Sequence, residues 1–523
     1  MNSFLQRHAS SVTGMISGWD RLRFRGTLRM LAHVTGLLHF LCFTRNLLKD
    51  FGQYALKVSR QVRAESLALA EASGRPVVHL RSPSVNKEEI ALEIARRDGI
   101  EQGLIAVLTA VEPCWSFDIQ SDRAKGRLEL VRAHRKCQHL YHYQIHPVFG
   151  FMHIRLQTWL PFNLHICING REWLARQMDK AGIAYRRADN CFTHIADLPA
   201  AQALLDAQVT FDWTAALAEL VPTVNPALRS IIRNYNIPYY WSLDQSEWAS
   251  DVMFRSSAGL AALYPAIVRH GIESFGSPDV MRFLGRRTTV TGQVNAHFQG
   301  EVVSDYRRRP EGVRVKHRVN HNAIKVYDKA GSILRVETTL NNMRDIRAPR
   351  LVQVDGKPKI VHRPMRKGVS DMPRRAEVSQ ASNRRYLEAL AAVQTPLPLK
   401  TLTDKLSRAT RWKGQSVRGL NLLGIEDARL LAAVARGEFL IAGFRNRDLQ
   451  GLLFPPARPG DDPAEHRRRS GQITRRIRML RAHGLIHKVP HTHRYMVSDK
   501  GRQATAALHA AREADIEKLT KAA

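Results

Sequence analysis

The stretch 470–502, SGQITRRIRMLRAHGLIHKVPHTHRYMVSDKGR, decides the fold of the C-terminal part of the chain. Its apolar residues Ile473, Ile477 and Leu480 recur at helical spacing, which predicts a helix from about Ser470 to His483 with one buried face. Gly484 follows, and glycine is typical just beyond a helix end. The segments LIHKV (485–489) and RYMV (494–497) then flank the turn-forming PHTH, which predicts a two-stranded hairpin. Another helix is expected from about 500.

The segments just before this stretch extend the pattern. We expect an amphipathic helix at 427–438, a short strand at 440–444 and a second helix at 446–454. The resulting order, helix, strand, helix, helix, hairpin and helix, is that of a winged helix. The quoted phrase resembles the recognition helix and wing of MarR-like bacterial DNA-binding domains. The resemblance covers residues 421–523 and implies a DNA-binding domain.

The same stretch is strongly basic, with eight Lys/Arg and no Asp or Glu between Arg467 and Lys488. If Ile473, Ile477 and Leu480 are buried, the opposite face of the helix meets the major groove, where Gln and Arg can contact adenine and guanine edges bidentately. Candidates for base contacts are therefore Gln472, Arg475, Arg476 and Met479. Candidates for phosphate and wing contacts are Arg467, Arg468, Arg469, Lys488, His493 and Arg494. The alternative is a basic helix that docks on an acidic protein.

Composition supports a polyanionic partner. The 523 residues include 80 Lys+Arg and 47 Asp+Glu, a formal net charge of +33. A positive field of this size attracts nucleic acid. With 44% hydrophobic residues the chain can bury several cores, so it is not a disordered basic tail. The expected partner is double-stranded DNA; single-stranded DNA, RNA and a second copy of the chain are further candidates.

Other features bear on location and cofactors. No apolar run approaches the length of a membrane span, and the N-terminus lacks the pattern of a secretory signal. The five cysteines are scattered without a CxxC pair, which argues against a disulfide framework or a structural zinc site. We therefore expect a soluble, cytoplasmic protein that does not bind membranes. Neither GxxxxGK[ST] nor GxGxxG occurs, so no nucleotide cofactor is expected.

The remaining chain predicts a multidomain α+β protein. Strand patterns at 77–80 and 103–108 alternate with helical patterns such as 86–97, which is typical of α/β structure. Residues 200–285 are expected to be mainly helical, and β patterns return after 288. We expect an N-terminal α/β domain (1–143), a central α+β domain (144–390) that is β-rich and contains a long hairpin, a linker (391–420) and the winged helix (421–523).

The central hairpin is predicted over 322–337, NAIKVYDKAGSILRVE. Gly331 suits a short loop, and pairing the apolar positions on one face requires a three-residue loop, 330–332. Lys325, Tyr327, Lys329, Arg335 and Glu337 then share the other face, where they could bind a phosphodiester, with Glu337 orienting Arg335 or holding a metal. The phrases KVYDK and LRVE resemble a segment of the rolling-circle replication initiators of plasmids and filamentous phages.

That resemblance implies nicking by a tyrosine with Mg²⁺ or Mn²⁺. Tyr306, in SDYRRR, is the candidate nucleophile because neighbouring arginines could steady a phosphotyrosine. Asp328 and Glu337 are candidate metal ligands. The His-apolar-His triplet of many initiators does not occur here. The alternatives are that Tyr306 is an ordinary surface tyrosine, that Asp328 is a turn residue and that Glu337 is an ion-pair partner.

A competing hypothesis is an RNase H-like nuclease or transposase, which places acids at the ends of neighbouring strands to bind two Mg²⁺ ions. Asp20 and Glu112, with Asp118 as a third, are the candidate acids. Asp20, close to Arg21, Arg23 and Arg25, could equally anchor an ion pair.

The preferred function is a DNA-binding protein in replication initiation or strand processing of a plasmid or mobile element. The alternatives are a winged-helix transcriptional regulator without catalysis and the RNase H-like enzyme.

Overall fold

The computed structural model describes residues 3–124, 126–232, 237–286, 288–289, 293–309, 312–354, 357–393, 399–422, 424–436, 439, 443–455, 462–490 and 492–512. The chain divides into two compact units, each built from segments distant in sequence. We call 16–249 with 339–377 the N-terminal unit, and 1–15 with 250–338 and 378–523 the C-terminal unit. The predicted domain boundaries stay predictions.

Helices occur throughout the described residues. In chain order they are α1 (Ser3–Arg7), α2 (Val34–Phe43), α3 (Phe51–Ala72), α4 (Lys87–Arg97), α5 (Gly170–Lys180), α6 (Leu198–Val209), α7 (Trp213–Val224), α8 (Pro226–Ile232), α9 (Ser257–Glu273), α10 (Ser277–Phe283), α11 (Met372–Leu390), α12 (Leu399–Ser407), α13 (Ile425–Val434), α14 (Asn446–Leu453), α15 (Pro463–Ala482) and α16 (Asp499–Arg512).

Strands are interspersed with these helices, so the expected mixture of helix and strand is confirmed. They are β1 (Val12–Leu28), β2 (Val77–His79), β3 (Gly103–Asp122), β4 (Arg127–His146), β5 (Gly150–Gln157), β6 (Leu164–Asn169), β7 (Tyr185–Ala188), β8 (Cys191–Ile195), β9 (Tyr239–Phe254), β10 (Val302–Arg309), β11 (Gly312–Val319), β12 (Asn322–Lys329), β13 (Ile333–Leu340), β14 (Arg347–Val354), β15 (Lys357–Pro364), β16 (Thr410–Trp412), β17 (Gln415–Val417), β18 (Ile486–Lys488) and β19 (Tyr495–Val497).

The N-terminal unit is built on a sheet with the order β9-β1-β6-β5-β4-β3-β2. Strand β2 is parallel to β3, and β3, β4, β5, β6 and β1 pair antiparallel in succession. Strands β3 and β4 form a hairpin of two 20-residue strands. It is the longest β element among the described residues.

Residue alternation gives this sheet two different faces. On one face Phe24 lies against Trp213 of α7, with ring centroids 5.0 Å apart. On the other face α4 contributes Ala91 and Ile94 to a core with Leu108 and Tyr141. The second face also carries the charged side chains described below.

The C-terminal unit contains the strand order β10-β11-β12-β13-β9. Its core joins residues of β11, β12 and β13 to helices α9, α10 and α11, with Val315, Val326, Leu334 and Tyr386 fully buried. The β12–β13 hairpin has the predicted loop 330–332, with positive φ at Ala330 (57°) and Gly331 (76°).

The C-terminal segment has its own core. Leu430 of α13, Leu449 of α14 and Leu480 of α15 are fully buried in it. Phe444 forms a bridge with Tyr495, so a third extended piece joins β18 and β19. Residues 399–417, expected within a linker, form α12 and the β16–β17 hairpin, and Leu406 is buried in the same core.

Several expected elements are present, including the strand patterns at 77–80 and 103–108, found in β2 and β3, and the helical pattern at 86–97, found in α4. The helical expectation for 200–285 is wrong at β9, which is a 16-residue strand. Among the described residues, no helix combines the length and apolar character that crossing a membrane requires.

Candidate nucleic-acid interface and acidic residues

Helix α15 presents a basic surface in the C-terminal unit. It begins at Pro463, seven residues before the predicted start, because Asp462 caps Ala464 N–H and proline suits the first helical turn. Arg467 and Arg475 are exposed, and Gln472 is half-buried. Among the described residues, no acidic group pairs with Arg467 or Arg475. These cations therefore remain available to an external anion.

Other arginines of α15 have partners within the segment. Arg468 and Arg469 both pair with Glu465, at 2.9 and 3.0 Å. Arg476 pairs with Glu426 of α13, and its guanidinium lies 5.9 Å from the centre of the Phe454 ring. Arg476 is therefore held to the body of the segment. To contact a base as predicted, Arg476 would first have to break its ion pair with Glu426.

Met479 was expected on the exposed face, and this expectation is wrong. It is 4% exposed and packs in the same core as Ile473, Ile477 and Leu480. Met479 is next to Leu480, only about 100° around the helix, so a wide apolar stripe buries both. The candidates for base contacts are therefore reduced to Gln472, Arg475 and Arg476.

The β18–β19 hairpin also carries polar groups at the surface. Lys488 and His493 are exposed. Arg494 donates to the Gly443 carbonyl at 3.1 Å, which connects the hairpin to the residues before α14. Lys488 and His493 are thus accessible, as the expected wing contacts require, whereas the Arg494 side chain is partly bound within the fold.

The central hairpin confirms the predicted shared face and gives it a buried setting. Glu337 is 1% exposed. Its carboxylate lies 2.6 Å from Lys325 Nζ and accepts a 2.8 Å hydrogen bond from the Tyr327 hydroxyl. Burial raises the pKa of Glu337, but Lys325, Arg335 and the Tyr327 hydrogen bond outweigh it, so the pKa is lowered.

Arg335 has a different role from the predicted phosphate contact. Its guanidinium is fully buried and donates to Asp251 of β9 through Nε at 2.6 Å and Nη2 at 2.8 Å. This bidentate pair lies inside the C-terminal unit. A phosphodiester at the surface cannot reach Arg335 without breaking it, so the expectation of a phosphate-binding Arg335 is wrong.

The nicking residues are not brought together as a catalytic set. Tyr306 is 61% exposed on β10, at the end of the strand order. Asp328 lies at the end of β12, where burial raises its pKa and the Gly331 N–H partly offsets the effect. Its carboxyl is thus positioned to organise the turn, as the alternative interpretation expected.

Asp20 of β1 has an acidic neighbour on β9. Trp248 Nε1 donates to Ser17 Oγ at 2.8 Å, and Ser242 Oγ donates to the Arg25 carbonyl at 3.4 Å, so β9 runs antiparallel to β1 in the N-terminal unit. This register brings Glu247 beside Asp20, with a carboxylate oxygen of each within 4.8 Å.

Positive groups surround this acidic pair. Asp20 accepts a 2.9 Å hydrogen bond from Asn190, and Arg171 Nε lies 3.9 Å from it. Burial lowers the pKa of Arg21, but Glu247, Glu88 and Asp20 raise it on balance. The pair could hold a divalent cation, or it could anchor these arginines.

Glu112 does not join this acidic pair. Strands β6, β5 and β4 separate β1 from β3. Glu112 instead accepts from Tyr141 Oη and Arg155 Nη2, both at 2.6 Å, and lies 3.4 Å from Lys87 Nζ. Burial raises its pKa, yet Tyr141 and Arg155 lower it on balance. The expected pairing of Asp20 with Glu112 on neighbouring strands is therefore wrong. Asp118, the third candidate acid, forms an ion pair with Arg135, whose Nη1 lies 2.8 Å from Asp118 Oδ1.

The charged face of the N-terminal sheet contains two rows of side chains, aligned by strand register. One row is Tyr141, Arg155, His165 and Arg25; the other is Tyr143, His153, Cys167 and Arg23. Burial, reinforced by Arg155, Arg23 and Arg25, lowers the pKa of His165 to about 2. His165 is therefore neutral at physiological pH, although Asp244 lies 3.8 Å from its Nε2. We call the exposed Arg21 and Arg23, with the half-buried Arg25, the cationic face.

Sequence reasoning missed Glu247, Asp251 and Arg171. Both acids lie on β9, whose residues were expected to be helical, and Arg171 carried no motif. The aromatic residues 239–241 at the start of β9 were the available strand signal, since the second half of the strand shows no alternation.

Comparison with known proteins adds no assignment: no family model matches the chain, and neither the curated proteins nor the solved structures contain a match.

Proposed function

We propose that residues 421–512 bind duplex DNA as a winged helix. The observation that carries this proposal is the outward side of α15, where Arg475 and Arg467 are exposed beside Gln472. The element order α13, the extended residue Phe444, α14, α15, the β18–β19 hairpin and α16 supports it. The helix supplies groups for base edges, while Lys488 and His493 supply wing contacts to the phosphates.

We further propose that the protein acts in replication initiation or strand processing of a plasmid or mobile element. The N-terminal unit carries the cationic face, which suits a second nucleic-acid contact. A transcriptional regulator without catalysis requires no chemistry from that unit and is the alternative.

The duplex proposal is tested by Arg475→Gln in the full-length protein, on a duplex selected from a random pool by the wild type. We expect affinity to fall about 5- to 150-fold, because a guanidinium contact to a base is worth about 1–3 kcal/mol. Arg429→Gln on α13, also exposed, removes the same charge and serves as control. Equal losses for both variants, or none for Arg475→Gln, would contradict specific reading by α15.

The acidic pair supports a second candidate, Mg²⁺- or Mn²⁺-dependent phosphodiester chemistry. Carboxylates are the ligands these ions prefer, and Asp20 and Glu247 are close enough to share one. We expect the wild type to bind Mn²⁺, measured by electron paramagnetic resonance of the free ion, and Asp20→Asn to lose that binding. Glu112→Gln, on a separate strand, should retain it. Mn²⁺ affinity that is the same in the wild type and Asp20→Asn would remove this candidate.

A further inference from the structure

The β3–β4 hairpin carries an exposed apolar strip. Val111, Pro113 and Trp115 alternate along β3 on one face, while Glu112 and Cys114 between them are buried. Trp115 is 54% exposed and Val111 49%. Large apolar side chains in a contiguous exposed row mark a binding surface more often than isolated ones do.

A polar row on β4 lies directly beside this strip. The antiparallel register pairs Pro113 with Lys136, Trp115 with His134, and Phe117 with Arg132. Arg132, His134 and Lys136 are all exposed, and alternation along β4 places them on one face. An apolar row and a row with two cations therefore run side by side.

The side chains around Trp115 are arranged for stacking. The His134 ring meets it edge-on, with centroids 4.6 Å apart, and the Arg132 guanidinium lies 5.3 Å from the indole centre. Within the described part of the chain, no acidic group pairs with Arg132 or Lys136. Arg135, which points to the other face, is the arginine that pairs with Asp118.

We propose that this strip, defined by Val111, Pro113, Trp115, Arg132, His134 and Lys136, binds single-stranded nucleic acid. Unpaired bases stack on Trp115 and cover Val111 and Pro113, while Arg132 and Lys136 meet the phosphates. A duplex keeps its bases inside and cannot use the apolar row. An acidic peptide could satisfy the two cations, but its carboxylates would leave Trp115 and the apolar row uncovered. The proposal concerns the N-terminal unit and does not depend on duplex binding by α15.

The test measures binding of full-length protein to fluorescein-labelled oligo(dT) and oligo(rU) of about 12 nucleotides, within the site sizes of known single-strand surfaces. Trp115→Ala should weaken binding about fivefold or more, because stacking of one base is worth about 1–3 kcal/mol. Trp115→Phe should restore much of it. Phe43→Ala is the matched control, since Phe43 is also an aromatic residue that is 54% exposed.

A second pair of variants tests the cations. Arg132→Gln and Lys136→Gln should each reduce the salt dependence of oligo(dT) binding by about one phosphate contact, and Arg96→Gln on α4 should not. The two oligonucleotides distinguish DNA from RNA, and Trp115-dependent binding of either one supports the proposal. Unchanged affinity of Trp115→Ala for both oligonucleotides would overturn it, as would equal losses in Phe43→Ala. A negative result for single-stranded binding does not change the outcome expected from the Arg475 duplex experiment. The two proposals can therefore be rejected independently.

Discussion

The buried pair between Arg335 and Asp251 shows how one residue's surroundings determine its role. The sequence predicted that Arg335 would share a face with Glu337, and it does so. What the local pattern could not reveal was Asp251, which comes from a strand more than 80 positions earlier in the chain. Sequence alternation predicts which side chains share a face. It does not identify the partner supplied by another strand, and that partner converts a candidate phosphate ligand into an internal ion pair.

We expect Asp251→Asn to destabilise the C-terminal unit strongly. The substitution keeps the side-chain shape but leaves the buried Arg335 guanidinium without its counter-charge, which costs about 3–5 kcal/mol in comparable buried pairs. Thermal unfolding of the full-length protein would measure the loss. The double variant Asp251→Leu with Arg335→Met removes both charges and should recover part of it.

The matched control for that experiment is Asp305→Asn. Asp305 Oδ2 lies 3.3 Å from Arg307 Nη2, and the Arg307 side chain is 61% exposed. Because this ion pair is solvated, it should contribute less than about 1 kcal/mol to the free energy of unfolding. A similar change in stability for Asp251→Asn and Asp305→Asn would show that the buried pair has no special role.

At the scale of elements, clear periodicity gave correct predictions. The β12–β13 hairpin and its three-residue loop follow from alternating apolar residues around Gly331, which adopts a φ of 76°. Strand β9 was missed because its second half is buried continuously, so no alternation marks it. The start of α15 was missed because its first two turns are polar and only the Asp462 cap with Pro463 signals them.

For the candidate sites, the sequence predicted the exposure of Arg467 and Arg475 but not the partners of the other candidate arginines. Arg467 and Arg475 are exposed as expected, since a run of cations without acids has few ways to be neutralised locally. Glu247 was not predicted beside Asp20, because their proximity depends on pairing between strands more than 200 positions apart. Residues 16–249 and 339–377 form one unit, although residues 250–338 between them belong to the other unit. No local pattern in the sequence indicates that the N-terminal unit is interrupted in this way.

At the scale of the whole molecule, buried neutral histidines connect stability to pH. In the N-terminal unit, burial lowers the pKa values of His139, His142 and His153 to about 4, and Arg155 contributes for His139 and His153. In the unfolded chain these groups have the ordinary histidine pKa of about 6.5. Below that value the unfolded chain binds protons that the folded unit does not, so folding stability decreases as the pH falls from about 6.5 to about 4.

We therefore expect each of these histidines to remove about 1.4 kcal/mol of stability at one pH unit below 6.5. Urea unfolding of the full-length protein between pH 7.5 and pH 5 would measure the slope. His153→Gln should reduce the slope by the share of one proton, whatever its effect on absolute stability, because glutamine does not titrate. His194→Gln is the control, since His194 is exposed on β8. A pH slope that is the same in His153→Gln and the wild type would mean that His153 is protonated equally in the folded and unfolded states, and the assignment of a buried neutral imidazole would be wrong.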